Sequence, residues 1–305
     1  ANVPMDSFVK QIPHPGDFIA EYIAQTRTWF YYMHAMSTLL FGKLAFRNVV
    51  STGTILAADG SKISKSKGNY TDPLILLDKY GADAFRFHLL GSVVMQSEDL
   101  RFRDEDVRDA HNRVVGILWN SFKFFELYKK EYDGKTSAHK SKHVLDAWAL
   151  ARLDETIQSV TQSMDAYDTP HACRTLSNFI EDYSTWYVRR SRERVKTNQN
   201  SSAGAVADKQ FALAAQREIL LAISKLIAPI MPFLADNIYL EVGGKEKSVH
   251  LESWPKAPKN GFISRLFGGD PLVILKSMAV ARETVSRALE ARSSAGIRVR
   301  QPLSR

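Results

Sequence analysis

The stretch Asp59-Gly60-Ser61-Lys62-Ile63-Ser64-Lys65-Ser66-Lys67-Gly68-Asn69 packs three lysines and three serines between an Asp-Gly turn and a Gly-Asn exit. Ammonium groups and hydroxyl donors at that density suit a polyphosphate, which offers many anionic oxygens over a short span. Glycine permits the positive φ that a sharp reversal or a close backbone approach demands. The same composition also serves a plain solvated surface loop, and the residues alone leave both readings open.

Two other groups can do chemistry. Glu21, Gln25 and Trp29 recur every fourth residue, so on a helix they form one stripe of carboxylate, amide and indole. Such a stripe can hold an ammonium or ribose hydroxyls and close an apolar pocket; it also fits an exposed Glu, a surface Gln and a core Trp. Further on, Arg189, Arg190, Arg192, Arg194 and Lys196 follow Trp186-Tyr187. On a helix Arg190 and Arg194 share one face, while Arg189 and Lys196 flank Glu193 on another. A nucleic-acid face and a salt-bridged, solvated face remain equally open. Arg298, Arg300 and Gln301 carry the same two options. His111, His143, His171 and His250 are scattered and show no zinc spacing.

The elements that position these groups change character along the chain. Asp17 to Phe41 is helix-friendly and apolar on most faces, which predicts a buried helix. Asn48 to Thr52 reads as a short β-branched strand ending at Gly53, followed by Ile55-Leu56 and the Asp59-Gly60 turn. Asp72-Pro73 starts a helix that runs to Tyr80, with Gly81 behind it; Ala82 to Leu90 forms a second. Asp104 caps a long helix towards Tyr128. Beyond about residue 135 strand signals vanish. Leu145, Ala149, Leu153, Ile157, Val160 and Met164 form one stripe; Ala172, Leu176, Phe179, Ile180, Tyr183 and Tyr187 form another after Asp168-Thr169-Pro170. Phe211, Ala215, Ile219, Ile223, Leu226 and Ile227 form a third, and three such helices in succession mean a bundle. Asn198 to Gly204 reads as a loop, Lys245 to Asn260 as an irregular connector, and Pro271 to Arg292 as a last helix.

The 305 residues carry 41 Lys+Arg against 33 Asp+Glu, a formal charge of +8 and a pI near 9.4. That excess permits nucleic-acid binding without requiring it. Cys173 is the sole cysteine, which excludes an intrachain disulfide and fits a reducing compartment. The most apolar run, Ile219 to Ala235, is broken by Lys225, Pro229 and Pro232, so it reads as a buried helix rather than a membrane span. The opening on Ala1 and the ending on Ser304-Arg305 read as those of a piece of a longer protein.

Lys62-Ile63-Ser64-Lys65-Ser66 resembles the KMSKS signature of class I aminoacyl-tRNA synthetases, with Ile63 a volume-conserving replacement for the usual Met. Segments 18–31, 80–86, 186–192 and 295–303 are similar, in the same order, to isoleucyl-tRNA synthetases. The Gln25-Thr26-Arg27-Thr28-Trp29-Phe30-Tyr31 and Trp186-Tyr187-Val188-Arg189-Arg190-Ser191-Arg192 runs favour that family over the valyl and leucyl enzymes. The resemblance implies a mostly α chain with a small α/β part: the C-terminal half of a Rossmann-type catalytic domain (1–103), an α-helical anticodon-binding bundle (104–260) and the start of a further domain (261–305).

It also implies ATP and Mg²⁺, L-isoleucine and tRNA(Ile) as ligands, a cytoplasmic setting and no membrane. Lys65, then Lys62, would neutralise the triphosphate, with Ser64 and Ser66 as hydroxyl donors and Lys67 solvated. Glu21 and Gln25 would contact the aminoacyl-adenylate, and Trp29 would line the isoleucine pocket. Trp186, Arg189, Arg190, Arg192 and Arg194 would face tRNA. Tyr22 and Ala24 stand where many relatives carry Gly and Asp, which removes one expected carboxylate from the substrate's surroundings. A hydrophobic pocket gains only about 1–3 kcal/mol per methylene, so such enzymes add an editing insertion, and none lies in this sequence. The His-Ile-Gly-His half of the nucleotide site is missing too; His14-Pro15-Gly16 does not reproduce it. The chain alone is therefore expected to be inactive. A non-catalytic tRNA- or RNA-binding module and a valyl or leucyl enzyme remain the alternatives.

Overall fold

The computed structural model describes residues 14–198, 200–257, 270–299 and 301–302. Pro258 to Asn260 of the expected connector, and Arg300 and Leu303, lie outside the described residues. The chain divides into two compact units, the first drawing on residues up to Gly116, Ser159–Ser177 and Pro229–Leu234, the second on the remainder.

The first unit holds the α/β part. Strand β1 (Gly16–Tyr22) passes through a 3₁₀ turn (Ile23–Arg27) into helix α1 (Trp29–Phe41) and returns as β2 (Phe46–Thr52). β1 and β2 pair in parallel, with Glu21 opposite Ser51 and Tyr22 opposite Thr52. The expectation of one buried helix from Asp17 to Phe41 is corrected here. Phe18 to Tyr22 becomes a strand because a β-branched partner thirty residues away supplies its ladder, and pairing of that range overrides local propensity. Within α1 only Phe30 and Ser37 are buried. Tyr31, Tyr32, Met36, Leu39 and Leu40 are exposed among the described residues.

A second parallel pair joins β3 (Ile55–Leu56) to β4 (Leu100–Arg101), with α2 (Pro73–Tyr80) and α3 (Ala82–Leu90) between them. Asp72 caps α2 by accepting from the Leu74 N–H at 2.9 Å, with Pro73 in the first turn. Gly81 takes φ +83°, where a side chain would be strained. In α3, Asp83 accepts the backbone N–H groups of Phe233 and Leu234 at 3.3 and 2.6 Å. Arg86 donates to the carbonyls of Ile230 and Pro229 at 3.0 and 2.8 Å. One turn of α3 thus satisfies both the donors and the acceptors that the Pro229–Leu234 turn leaves open.

The long helix begins as α4 (Asp104–Ala110), passes a π-helical stretch (His111–Val115) and continues as α5 (Gly116–Tyr128). Asp104 is its first residue rather than its cap: Arg103 precedes the helix, and the Asp104 carboxylate accepts from the Thr71 hydroxyl at 2.7 Å. The bundle helices follow as α6 (Val144–Asp165), α7 (Thr169–Asp182), a π-helical stretch (Tyr183–Val188), α8 (Arg189–Val195), α9 (Ala203–Ile227) and α10 (Pro232–Val242). Ala172, Leu176, Phe179, Ile180, Tyr183 and Tyr187 are all buried, as their spacing predicts. Ile219 to Ala235 is not one helix. α9 stops at Ile227 and α10 restarts at Pro232, because Pro229 and Pro232 lack the N–H groups a continuous ladder requires. The Asn198 to Gly204 loop ends earlier than expected, at Ser202, which caps α9. The last helix, α11 (Pro271–Ser294), starts on an Asp270 cap with Pro271 in the first turn. Among the described residues no helix is long and apolar enough to cross a membrane.

Candidate functional site

The lysine loop leaves β3 through a tight turn. Gly60 takes φ +84° and its N–H meets the Ala57 carbonyl at 2.8 Å; the Ala57 N–H meets the Ser61 carbonyl at 2.9 Å. Asp59 accepts the Ser61 N–H at 2.8 Å, and that backbone bond, with the Ser61 hydroxyl, holds its carboxyl below the usual range. Lys62 then bridges back to Leu56. Ser64 and Ser66 share a hydroxyl–hydroxyl bond of 2.8 Å, and the Gly68 N–H meets the Ser64 carbonyl at 3.1 Å. Lys62, Lys65 and Lys67 are exposed. Among the described residues no carboxylate lies within ion-pair distance of their ammonium groups.

Beside the loop opens a cavity of about 720 Å³. Its wall includes Tyr22 and Thr52, the last residues of β1 and β2, together with Ile55, Lys62, Ile63 and Leu90. The hollow thus lies at the carboxyl ends of two parallel strands, where open α/β sheets bind their ligands. Gly53, also on this wall, lets the Glu98 backbone approach closely: a Cβ there would stand 1.9 Å from the Glu98 carbonyl oxygen.

The structure brings Lys62 and Ile63 onto this wall and leaves Ser64, Lys65 and Ser66 off it. Glu21, Gln25 and Trp29 do not form a helical stripe. They fall on a strand, a 3₁₀ turn and a helix start in succession, because the β1–β2 pairing breaks the period on which the stripe depends. None of the three lines the cavity; Tyr22 does. The Gln25 side-chain oxygen accepts from the Thr28 hydroxyl and, at 3.2 Å, from the Trp29 N–H, so it holds the start of α1. Glu21 and Trp29 are exposed.

In the second unit the arginine run splits. Arg194 is turned inward, its side chain 10% exposed, and pairs with Asp146 and Asp208 at 2.8 Å each. Asp146, with a side chain 0% exposed, also accepts from Tyr187 at 2.7 Å and Ser141 at 2.5 Å. Burial works against both charges. The Arg194 hydrogen bonds outweigh it, keeping the Asp146 carboxyl below its usual range, and the bonds to Asp146 and Asp208 keep Arg194 above its own. The outward, tRNA-facing place expected for Arg194 is therefore corrected. Arg189, Arg190 and Arg192 are exposed. The Arg190 guanidinium lies 3.8 Å over the Trp186 ring, and Arg192 lies 6.0 Å over Phe124. Arg282 also approaches Trp186, at 5.5 Å, while pairing with Asp182.

Two residues escaped sequence reasoning. Asn69 pins the lysine loop through its side chain, a role that its place in the Gly-Asn exit does not reveal. Arg282 joins the Trp186 cluster from a helix almost a hundred residues away, and nothing local signals that contact. Among the described residues no group of three or more His, Cys, Asp or Glu side chains is placed to hold a metal ion.

Comparison with known proteins agrees with this layout. Residues 146–305 match the family model for the anticodon-binding domain of tRNA ligase, and residues 4–102 match that for class I tRNA synthetases (I, L, M and V). The chain is 37% identical over 294 residues to an isoleucine–tRNA ligase of Deinococcus radiodurans, covering 95% of this chain and 26% of that protein. It is 39% identical over 295 residues to one of Leifsonia xyli, covering 95% and 25% respectively. The chain thus spans about a quarter of the length of these curated relatives.

Among solved structures, Mycobacterium tuberculosis methionyl-tRNA synthetase in complex with methionyl-adenylate superposes with a TM-score of 0.63 at 21% identity, over 78% of this chain and 50% of that one. Agrobacterium radiobacter K84 agnB2 LeuRS, in a ternary complex with tRNA and LeuAMS, gives 0.57 at 17% identity, over 83% and 29%. These two show the fold. The family match over residues 146–305, more than half of the sequence, shows more: with residues 4–102 similar to the class I tRNA synthetases of the isoleucine, leucine, methionine and valine group, the chain belongs to the family of proteins that carry the anticodon-binding domain of tRNA ligases.

Proposed function

We propose that this chain is the part of an isoleucine–tRNA ligase that grips the phosphate end of ATP and engages tRNA(Ile), and that the whole protein joins L-isoleucine to that tRNA in the cytoplasm. The observation that carries the reading is the cavity at the carboxyl ends of β1 and β2, with Lys62 on its wall and a lysine loop whose cations have no carboxylate partner among the described residues. Residues 1–103 are read as the second half of the catalytic domain, 104–260 as the bundle and 261–305 as the start of a further domain.

In adenylation the carboxylate of the amino acid attacks the α-phosphorus and pyrophosphate leaves. Such a step depends on positioned positive charge more than on an acid or base. Lys62 and Lys65 supply that charge along the triphosphate, and Ser64 and Ser66 supply hydroxyl donors. Glu21 contacts the aminoacyl-adenylate, and Gln25, fixed by its bonds to Thr28 and Trp29, presents its amide to it. Trp29 closes the side-chain pocket. Mg²⁺ would enter as the counter-ion of ATP; among the described residues no group of three or more His, Cys, Asp or Glu side chains is placed to hold it. Arg189, Arg190 and Arg192, with Trp186, form the tRNA face, guanidinium groups holding phosphates and ring planes stacking unpaired bases. Arg194 stabilises that face from inside.

The test is ATP–pyrophosphate exchange in a full-length protein carrying this segment. Isoleucine should stimulate exchange more than valine or leucine does. Lys65→Ala should lower the rate by about 10²-fold, the usual scale for losing one charge-stabilising donor. An undiminished rate in that variant would sink the reading. The 305-residue chain alone is expected to give no exchange.

A further inference from the structure

One side chain closes the lysine loop on itself. The Asn69 Oδ1 accepts the Ser64 N–H at 2.9 Å, while its Nδ2 donates to the Ser61 hydroxyl at 2.9 Å and to the Lys62 carbonyl at 3.0 Å. These partners lie five, eight and seven residues upstream, so a single amide ties together the outgoing and returning arms. Gly68 makes the reversal that returns Asn69 to them, at φ +59°. The three bonds use every kind of donor and acceptor that a carboxamide has. None of them touches an ammonium group. The backbone is held at both sides of Lys62 and up to Ser64, while the Lys62 and Lys65 side chains remain available.

We infer that Asn69 is a positioning residue for the phosphate end of the site: it pre-orders the loop so that Lys62 and Lys65 meet a polyphosphate without a separate ordering step. Preorganisation of this kind strengthens binding chiefly by removing the cost of ordering the binding groups. The inference rests on the role given to the loop above. It goes beyond that role by assigning a function to a residue whose amide is bonded to the loop itself. Alanine removes all three bonds. Aspartate keeps the acceptor for Ser64 N–H but loses both donations.

Two measurements test it. In the first, the full-length protein carrying this segment is treated with dilute trypsin, without ligand, and cleavage after Lys62, Lys65 and Lys67 is timed by mass spectrometry. Asn69→Ala should speed cleavage there about tenfold, Asn69→Asp by less, with an unchanged Tm, because cleavage tracks the population of the locally opened loop. In the second, exchange by the full-length protein should show the KM for ATP rising about tenfold in Asn69→Ala with the KM for the amino acid unchanged. Unchanged trypsin rates would overturn the inference. So would faster cleavage with an unaltered KM for ATP, which would leave Asn69 an ordering residue of no use to the nucleotide. So would a fall in Tm with cleavage throughout the chain. Failure of the functional reading itself shows elsewhere, as full exchange activity in Lys65→Ala.

Discussion

The lysine loop and the arginine run look alike in sequence, each a handful of cations within ten residues, yet the fold treats them in opposite ways. Arg194 is buried between Asp146 and Asp208, with Tyr187 and Ser141 on the same carboxylate. Lys62, Lys65 and Lys67 face solvent, and the hydrogen bonds that order their loop run through Asn69, Ser64 and Asp59 instead. A charge already neutralised inside the protein stabilises the fold and has nothing left for a ligand. One held in place by neutral neighbours keeps its whole field for one. The comparison therefore separates binding cations from structural cations by where their counter-charge lies, not by how densely they cluster.

The strongest way to break this contrast is to remove Arg194. Asp146 would then sit buried without its cation, and losing one partner of such a pair costs about 3–5 kcal/mol. Arg194→Ala should lower the urea midpoint of the chain sharply. Acid gives the matching titration. The Asp146 carboxyl is depressed on folding, so its contribution is complete above its unfolded value of 3.8 and is lost as pH falls through the lower folded value. The unfolding free energy should thus drop steeply at the acid end in the wild type, and much less so in an Asp146→Asn, Arg194→Gln double variant.

A middle case lies in the same unit. Burial pushes the Asp154 carboxyl up to about 7, with the nearby His139 cation opposing and Glu218 reinforcing the shift. Its Oδ2 is buried without a hydrogen-bond partner among the described residues. Here the folded state holds a proton that the unfolded chain releases near 3.8, so stability declines as pH rises from about 4 to 7 and then levels off. His139 moves the same way: its hydrogen bond to Glu218 raises its pKa, and that contribution fades as pH climbs through the raised value. Asp154→Asn should therefore raise Tm by a few degrees above neutrality and leave it unchanged near pH 4, as scanning calorimetry at the two pH values would show. Equal Tm shifts at both would contradict the burial argument.

How much of this was legible beforehand follows from what is local. The stripes of α6, α7 and α9 and the Asp72-Pro73 and Asp168-Thr169-Pro170 starts are local patterns, and they predict their helices. β1 is not local: Phe18 to Tyr22 becomes a strand only because Phe46 to Thr52 lies beside it. The inward turn of Arg194 escaped for a different reason. Arg194 lies two helical turns after Tyr187 and on its face, and both reach Asp146; what sequence does not display is the counter-charge, since Asp146 and Asp208 stand 48 and 14 residues away. The lysine loop was legible as chemistry. Asn69 was not, because a carboxamide's three partners are a property of the folded loop and not of its composition.

The smallest expected effect is the most telling for the contrast. Replacing Lys62, Lys65 and Lys67 together by alanine removes three charges from the loop but breaks no ion pair among the described residues. Lys67 acts on Asp59 only through its field, behind the Ser61 hydrogen bonds that dominate there. Surface changes of this kind shift stability by no more than about 0.5 kcal/mol, so the urea midpoint of the triple variant should match that of the wild type. Exchange activity in the full-length protein should meanwhile be lost. A stability loss comparable to that of Arg194→Ala would mean that the loop cations are bound into the fold after all, and a loop serving its own fold has no charge to offer a nucleotide.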